Sequence, residues 1–548
     1  MSWLVVAGTV AVLVGGPVRA DEQRMTADNV VREIRVEATT KYTREKGYPL
    51  PLAAHWNTGQ LKNGFSPGYQ MRMIEQGHFL LPWFQLPEPG TAGADYRYYE
   101  NAIKKAAERK LPITFVGTQW EKILSEDHAY LYLPPEKNPN VVGRNGAILR
   151  KVSPFGPIDH WRSAGKRWTS QRIFKMLQAW YPNPPLVLFL SNNEHAKLRW
   201  HEVEQDSRYL AIYGPGKDDD FMRKVVGDGW IERYRSLQQG MVEGLTEQGW
   251  KERSVFVGYE AFTPIAFGRW ADWTKYSLCI RGRIDPGPLA WDGASLPFYV
   301  HNWDSSTDYT VMSPQIEAMN WVPMLEEARR WNPSFRVELS VWDGNEPTKA
   351  DDKRKFYAGL GQTFSPERYE GYVQFGMWLL RPGVVREFRG WTDTLARTEP
   401  YFRAVVDSVD RVHADPVLRR FWRSGRLVAN RNHPHPYQAN IPEGYKAADR
   451  WFLLDTNLDP KRPWGLKTEL PVFSLALVLG ENAEREWLVY AHSPRKGLEN
   501  VEIHVPGYGF VKASVSPGGS FYLIREKRDG LLRVGGVAGG AAVSSRPR

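Results

Sequence analysis

The apolar run Leu186-Val187-Leu188-Phe189-Leu190 constrains this chain more than any other stretch. It has no polar–apolar alternation, so it reads as a strand buried on both faces, the kind found where helices cover a parallel sheet. It stops abruptly at Ser191-Asn192-Asn193-Glu194-His195, which puts a carboxylate just past its tip. In parallel barrels and doubly wound sheets chemistry sits at that carboxyl end, so Glu194 is the first candidate for a catalytic group.

The same pattern recurs along the chain. Pro49 to Ala54 ends in His55-Trp56-Asn57, and His78 to Phe84 is a second apolar run. Ile113 to Val116 leads to Thr118-Gln119-Trp120, and Ser254 to Gly258 leads to Tyr259-Glu260. Pro297 to Val300 ends in His301-Asn302-Trp303, Phe335 to Val337 ends in Glu338, and Tyr372 to Gly376 runs into Met377-Trp378. With the Leu186 run these make eight strands. Helical patterns lie between them, at Met71–Glu75, Tyr96–Lys110, Tyr234–Gly249 and Pro314–Trp331. The last opens with Ser313 as N-cap and proline at the first helical position. This alternation predicts an α/β fold, a (β/α)8 TIM barrel over residues 21–425. A doubly wound sheet is the alternative, but no G-x-G-x-x-G or P-loop follows any strand, which also leaves no cofactor to expect. The stretch before Leu186, roughly 60 residues rich in Pro, Gly, Lys and Arg, is too long for a plain loop and predicts a functional loop or subdomain.

From about residue 430 the texture changes to short strands without helices, such as Ser474–Leu479, Trp487–Ala491, Val501–Val505 and Ser520–Ile524. Regular spacing between turns predicts a C-terminal antiparallel β-sandwich over 426–526. Residues 527–548, rich in Gly, Ser and Arg, read as a disordered tail.

Composition narrows the function. Aromatic residues make up 13%, with 23 Trp and 25 Tyr. Sugars present apolar C–H faces that stack on such rings, although most Trp serve as core filler. The net charge is +10, but basic residues are scattered beside acids, as in Glu326-Glu327 and Arg329-Arg330. Without a Lys/Arg tract a nucleic-acid partner is not expected. A basic excess suits an anionic polysaccharide. Residues 1–20 read as a secretory signal peptide, with an apolar Leu4–Val14 and Val18-Arg19-Ala20 before Asp21, although no Lys or Arg precedes the apolar stretch. No later segment has the length of a membrane helix. The single cysteine, Cys279 in Leu278-Cys279-Ile280, reads as core and excludes an intrachain disulfide. The expectation is a secreted or periplasmic protein with no membrane partner; the oligomeric state is left open.

By this count Glu194 closes strand four and Glu338 closes strand seven. Two strand-end carboxylates about 5–5.5 Å apart suit retaining glycoside hydrolysis, one as acid/base and one as nucleophile. An alternative strand seven continues through Leu339-Ser340-Val341-Trp342, with Asp343 or Glu346 at its end. In these features the chain resembles the clan-A glycoside hydrolases, in which strand four ends in Asn-Glu and strand seven in Glu. The pair Asn193-Glu194 carries the resemblance, favoured by its place after the buried Leu186 run, and Asn345-Glu346 is a second copy. The resemblance implies that Glu194 is the acid/base, the strand-seven Glu the nucleophile and Asn193 a contact to the sugar 2-OH. It also implies His301 beside the nucleophile and Trp378 as the sugar-stacking aromatic. His55, Trp56, Trp120, Tyr259, Glu260, Asn302 and Trp303 are further strand-end candidates for substrate contact, about half of which pack loops instead. Glu260 also qualifies as an ion-pair partner or a member of the catalytic pair. No metal site is expected, since His195, His201 and Glu204 match no standard ligand spacing. No G-x-S-x-G elbow supports a serine hydrolase. The expected function is a glycoside hydrolase acting on a polysaccharide or oligosaccharide. A non-catalytic carbohydrate-binding barrel and a polysaccharide lyase are the alternatives.

Overall fold

The computed structural model describes residues 26–39, 47–56, 65–85, 97–118, 120–192, 198, 200–259, 286–299, 314–343, 358, 361–388, 395–428, 453–454, 472–494, 496–526 and 528–535. The expected signal peptide and Cys279 lie outside these residues. Eight strands run parallel: β1 (Leu52–His55), β2 (Trp83–Gln85), β3 (Ile113–Thr118), β4 (Val187–Asn192), β5 (Ser254–Tyr259), β6 (Gly293–Tyr299), β7 (Arg336–Trp342) and β8 (Val384–Glu387). They pair in the order β1-β8-β7-β6-β5-β4-β3-β2. A parallel bridge between Ala53 and Leu80 then joins β1 to the segment entering β2, giving a nearly closed barrel. The expected fold is therefore present.

Strand alternation sorts the side chains into two layers. Val116, Leu188, Leu190, Val257, Tyr259, Tyr299 and Trp342 share one buried cluster with Trp56. Trp56 follows β1 and Tyr259 ends β5, four places away round the ring, yet their rings meet edge to face at 5.0 Å. That contact exists only across the barrel axis, so this set faces inward. Facing outward, Phe115, Phe189 and Phe256 stack in a row at 5.5 and 5.4 Å and pack under the helices. Each such buried side chain contributes roughly 1.5–3 kcal/mol.

Helix α1 (Ala27–Thr39) closes the pole where the strands begin: Ala38 joins the interior cluster and Glu37 Oε2 accepts from Leu50 N at 2.9 Å. The stretch between β3 and β4 is a subdomain. It contains the antiparallel pair Asn140–Val142 and Ile148–Val152, then α2 (Ile158–Thr169), which packs along the long α3 (Asp219–Gly244). Helix α4 spans Pro314–Trp331, as its N-terminal signals predict.

The eighth strand is not where the apolar run suggested. Tyr372–Gly376 lies within α5 (Pro366–Leu380), opened by Ser365, whose side chain accepts from Arg368 N. Every residue from Gly371 to Leu380 in this helix is buried, so it lacks the polar face that identifies a helix. It is covered on both sides, by the barrel and by the C-terminal domain. The eighth strand, Val384–Glu387, follows Pro382-Gly383.

After α6 (Leu395–Ala414) and α7 (Pro416–Ser424) comes the β domain: β9 (Phe473–Leu479), β10 (Glu486–His492), β11 (Leu498–Val505), β12 (Gly509–Val515), β13 (Ser520–Arg525) and β14 (Arg528–Val534). Strands β9, β10, β13 and β14 form one antiparallel sheet, extended by the short pairs at 426–427 and 453–454, while β11 and β12 form a second. Val501, Ile503, Val511 and Ala513 of the second sheet share a core with Ala476, Trp487, Val489 and Ile524 of the first. This is the packing of a sandwich. The tail expected from residue 527 onward instead begins with β14. Among the described residues no helix is long and apolar enough to cross a membrane.

Candidate active site

The strands' carboxyl ends carry a layer of buried aromatic rings, the barrel's mouth, built by period-2 alternation from the interior layer. Trp56 Nε1 donates to Ser340 Oγ at 3.0 Å. The hydroxyls of Tyr259 and Tyr299 are hydrogen-bonded at 2.6 Å, and Tyr299 Oη lies 3.5 Å from Ser340 Oγ. Phe388 stacks on Tyr299 at 5.6 Å, and Trp342 meets Tyr299 edge to face at 5.5 Å. Trp56, Tyr299 and Ser340 therefore come from three different strand ends and form one hydrogen-bonded group. Trp56 and Tyr259, two of the sequence candidates, are brought together here.

Strand β4 ends at Asn192, whose neighbour in β5 is Tyr259. Asn193 and Glu194 come next in the chain and lie outside the described residues, as do Glu260, His301, Asn302, Trp303 and Glu346.

Glu338 is placed differently from the expectation. Strand β7 does not end there but continues to Trp342. Glu338 faces inward from the first half of the strand, and both its carboxylate oxygens lie 3.1 Å from Arg386 nitrogens. Both side chains are buried, and Arg386 Nη2 also lies 3.4 Å from Thr114 Oγ1. A carboxylate held by a bidentate buried guanidinium is a structural ion pair. This position gives no support to Glu338 as nucleophile. The buried carboxylate that does follow the strand is Asp343, the alternative left open by the sequence.

Three more candidates sit away from the mouth. His55 points outward and packs among Phe65, Phe402 and Trp83 at 4.4, 5.4 and 5.9 Å, because its position in β1 is out of phase with Trp56. Trp120 is buried against Trp168 at 5.5 Å, anchoring the β3–β4 subdomain. Trp378 lies in α5, buried between Trp422 and Phe521 at 5.2 Å each. None of the three offers a face to a sugar.

One strand-end acid escaped the sequence reading. Glu387 closes β8, is fully buried, and accepts a hydrogen bond at Oε2 from the Tyr369 hydroxyl. Burial pushes the Tyr369 phenol well above its ordinary range, and the nearby carboxylates of Glu387 and Asp343 push it further. Tyr369 thus stays protonated as a donor beneath the ends of β7 and β8. The signal that could have found Glu387 is the Pro382-Gly383 turn followed by Val384-Val385. Among the described residues no group of three or more His, Cys, Asp or Glu is arranged to hold a metal ion.

No family model matches the chain, and no curated protein does. Solved structures similar to it include a double mutant of the Cellulomonas fimi endo-beta-1,4-mannanase, 12% identical over 93% of this chain and 96% of that one, with a TM-score of 0.37. A modular Cellulomonas fimi endo-beta-1,4-mannanase, described among glycoside hydrolase family 26 mannanases, is 10% identical over 90% and 97%, with a TM-score of 0.34. An engineered protein is 10% identical over 93% and 95%, with a TM-score of 0.34. Likeness at this level carries no weight for fold or activity. The barrel stands on its own strand pairing.

Proposed function

We propose that the protein is an exported glycoside hydrolase that cleaves a polysaccharide or oligosaccharide with retention. The observation that carries this reading is the aromatic mouth of Trp56, Tyr259, Tyr299 and Trp342 at the carboxyl end of a parallel barrel, beside a fourth strand that ends just before Asn193-Glu194. Glu194 is assigned as acid/base and Asp343 as nucleophile. In the first step the Asp343 carboxylate attacks the anomeric carbon while Glu194 gives its proton to the departing glycosidic oxygen. In the second, Glu194 takes a proton from water, which displaces Asp343 from the sugar. Asn193 is assigned to the sugar 2-OH, and Trp56 and Tyr259 to the walls of the subsite. An anionic polymer is the substrate class that suits the net charge of +10.

The capture of Glu338 by Arg386 favours a second reading, a barrel that binds carbohydrate without cleaving it. A polysaccharide panel, read by reducing ends, anomeric NMR and ultraviolet absorbance, separates these. Reducing ends of retained configuration, with no rise from new C=C bonds, support the hydrolase. Glu194→Gln and Asp343→Asn should each lower turnover by at least about 100-fold with folding intact. Activity near wild type in Glu194→Gln would overturn the assignment, and binding without turnover on every substrate would favour the second reading.

A further inference from the structure

The opposite pole of the barrel carries a feature that the hydrolase reading does not use. A cavity of about 800 Å3 opens where the segments entering β1 and β8, the end of α7 and the β-sandwich meet. Its size falls in the range of small-ligand sites. Among the described residues its lining carries four arginines, Arg381, Arg423, Arg426 and Arg485, and one acid, Glu326.

Three of these guanidiniums are already oriented. Arg381 lies over the Tyr48 ring at 3.6 Å, and its Nη1 donates to the carbonyls of Trp422, at 3.3 Å, and Gly425. Arg423 pairs with Glu37. Arg485 pairs with Glu526 at 3.0 Å and lies over Trp487 at 5.2 Å. Arg426 differs. It is exposed on the short edge strand Arg426–Leu427, which pairs with β9, and among the described residues its side chain makes no hydrogen bond or ion pair. The backbone adds a second sign. Arg381 ends α5 in the left-handed region, at φ +47°. A side chain there costs on the order of 1 kcal/mol where glycine would be free of strain. With arginines over both Tyr48 and Trp487, recognition falls to the guanidiniums, which prefer oxyanions.

We propose that this cavity binds a small molecule bearing one oxyanion group, with the oxyanion on Arg426. The site is separate from the proposed hydrolytic mouth, so its test is independent of turnover. Calorimetric titration of the full chain with D-glucuronate, D-glucose and inorganic sulfate reads it directly. Saturable binding of D-glucuronate is expected, weaker by more than tenfold in Arg426→Glu and partly retained in Arg426→Lys. D-glucose should bind at least tenfold more weakly than D-glucuronate. The thermal midpoint without ligand should not move in either variant, since Arg426 is exposed and unpaired among the described residues. Binding of D-glucose as tight as that of D-glucuronate would overturn the oxyanion assignment. Unchanged affinity in Arg426→Glu, or no saturable binding of any probe, would overturn the site.

Discussion

Glu338 and Arg386 are a case in which one partner's identity changes the meaning of the other. With neither side chain exposed to water, each charge depends on the other for compensation. Glu338→Gln leaves the guanidinium buried without its counter-ion, and the expected loss is about 3 kcal/mol of stability. Urea denaturation should show it, while turnover per folded molecule stays near wild type on any substrate the protein cleaves. A folded Glu338→Gln protein without turnover would return this residue to the catalytic pair. Proximity in sequence offered no hint of the pair, since its members are 48 residues apart and meet only because β7 and β8 are neighbours.

At the scale of elements, α2 and α3 cross closely enough that glycine is required at the contact. A Cβ on Gly240 would stand 1.9 Å from the Arg162 carbonyl oxygen and 2.7 Å from its carbon, both backbone atoms that cannot swing away. Gly240→Ala adds helix propensity worth about 1 kcal/mol, but overpacking of 1–3 kcal/mol or more should outweigh it. The expected result is a lower thermal midpoint, and a rise would show that the helices separate at little cost. Helix α5 shows the matching limit of pattern reading. Its buried face runs all the way round, so Tyr372–Gly376 carries no 3.6-residue signature and resembles a buried strand. The polar cues that identify it sit at Ser365-Pro366-Glu367, upstream of the apolar run.

For the whole molecule, the barrel and sandwich share a core. Phe375 meets Phe473 at 5.7 Å, Trp378 meets Phe521 at 5.2 Å, and the Tyr490 hydroxyl donates to Gly371 O at 2.8 Å. Truncation after residue 425 should therefore expose α5 and yield aggregated protein rather than a working barrel; a soluble, active truncation would refute this. Acid sensitivity belongs to the same scale. His413 and His492 are both fully buried, and burial lowers their pKa values from 6.5 to about 3. Between those values the unfolded chain binds the protons that the folded chain refuses. Stability is therefore lost as pH falls from about 6.5, by roughly 1.4 kcal/mol per pH unit for each histidine. Glu37, Glu370 and Asp407, whose carboxyls are raised by burial, act in the opposite direction. His413→Gln isolates one contribution. Its urea midpoint should fall less between pH 7 and pH 5 than that of the wild type, and an equal fall would exclude His413 as a source of the slope.

The sequence by itself determined the fold class, seven of the barrel strands to within a few residues, α4 with its N-terminal signals, and the position of Asn193-Glu194 after a strand buried on both faces. These are local properties: an apolar run of a given length, a cap or a turn leaves its mark on adjacent residues. Tertiary structure alone decided which face each strand-end residue took. His55 and Trp56 are neighbours, yet one packs under the helices and the other reaches across the axis, because strand phase depends on pairing with β8. Only the fold decided that Glu338 belongs to Arg386. That outcome depends on a contact between segments distant in the chain, which no pattern within either segment records.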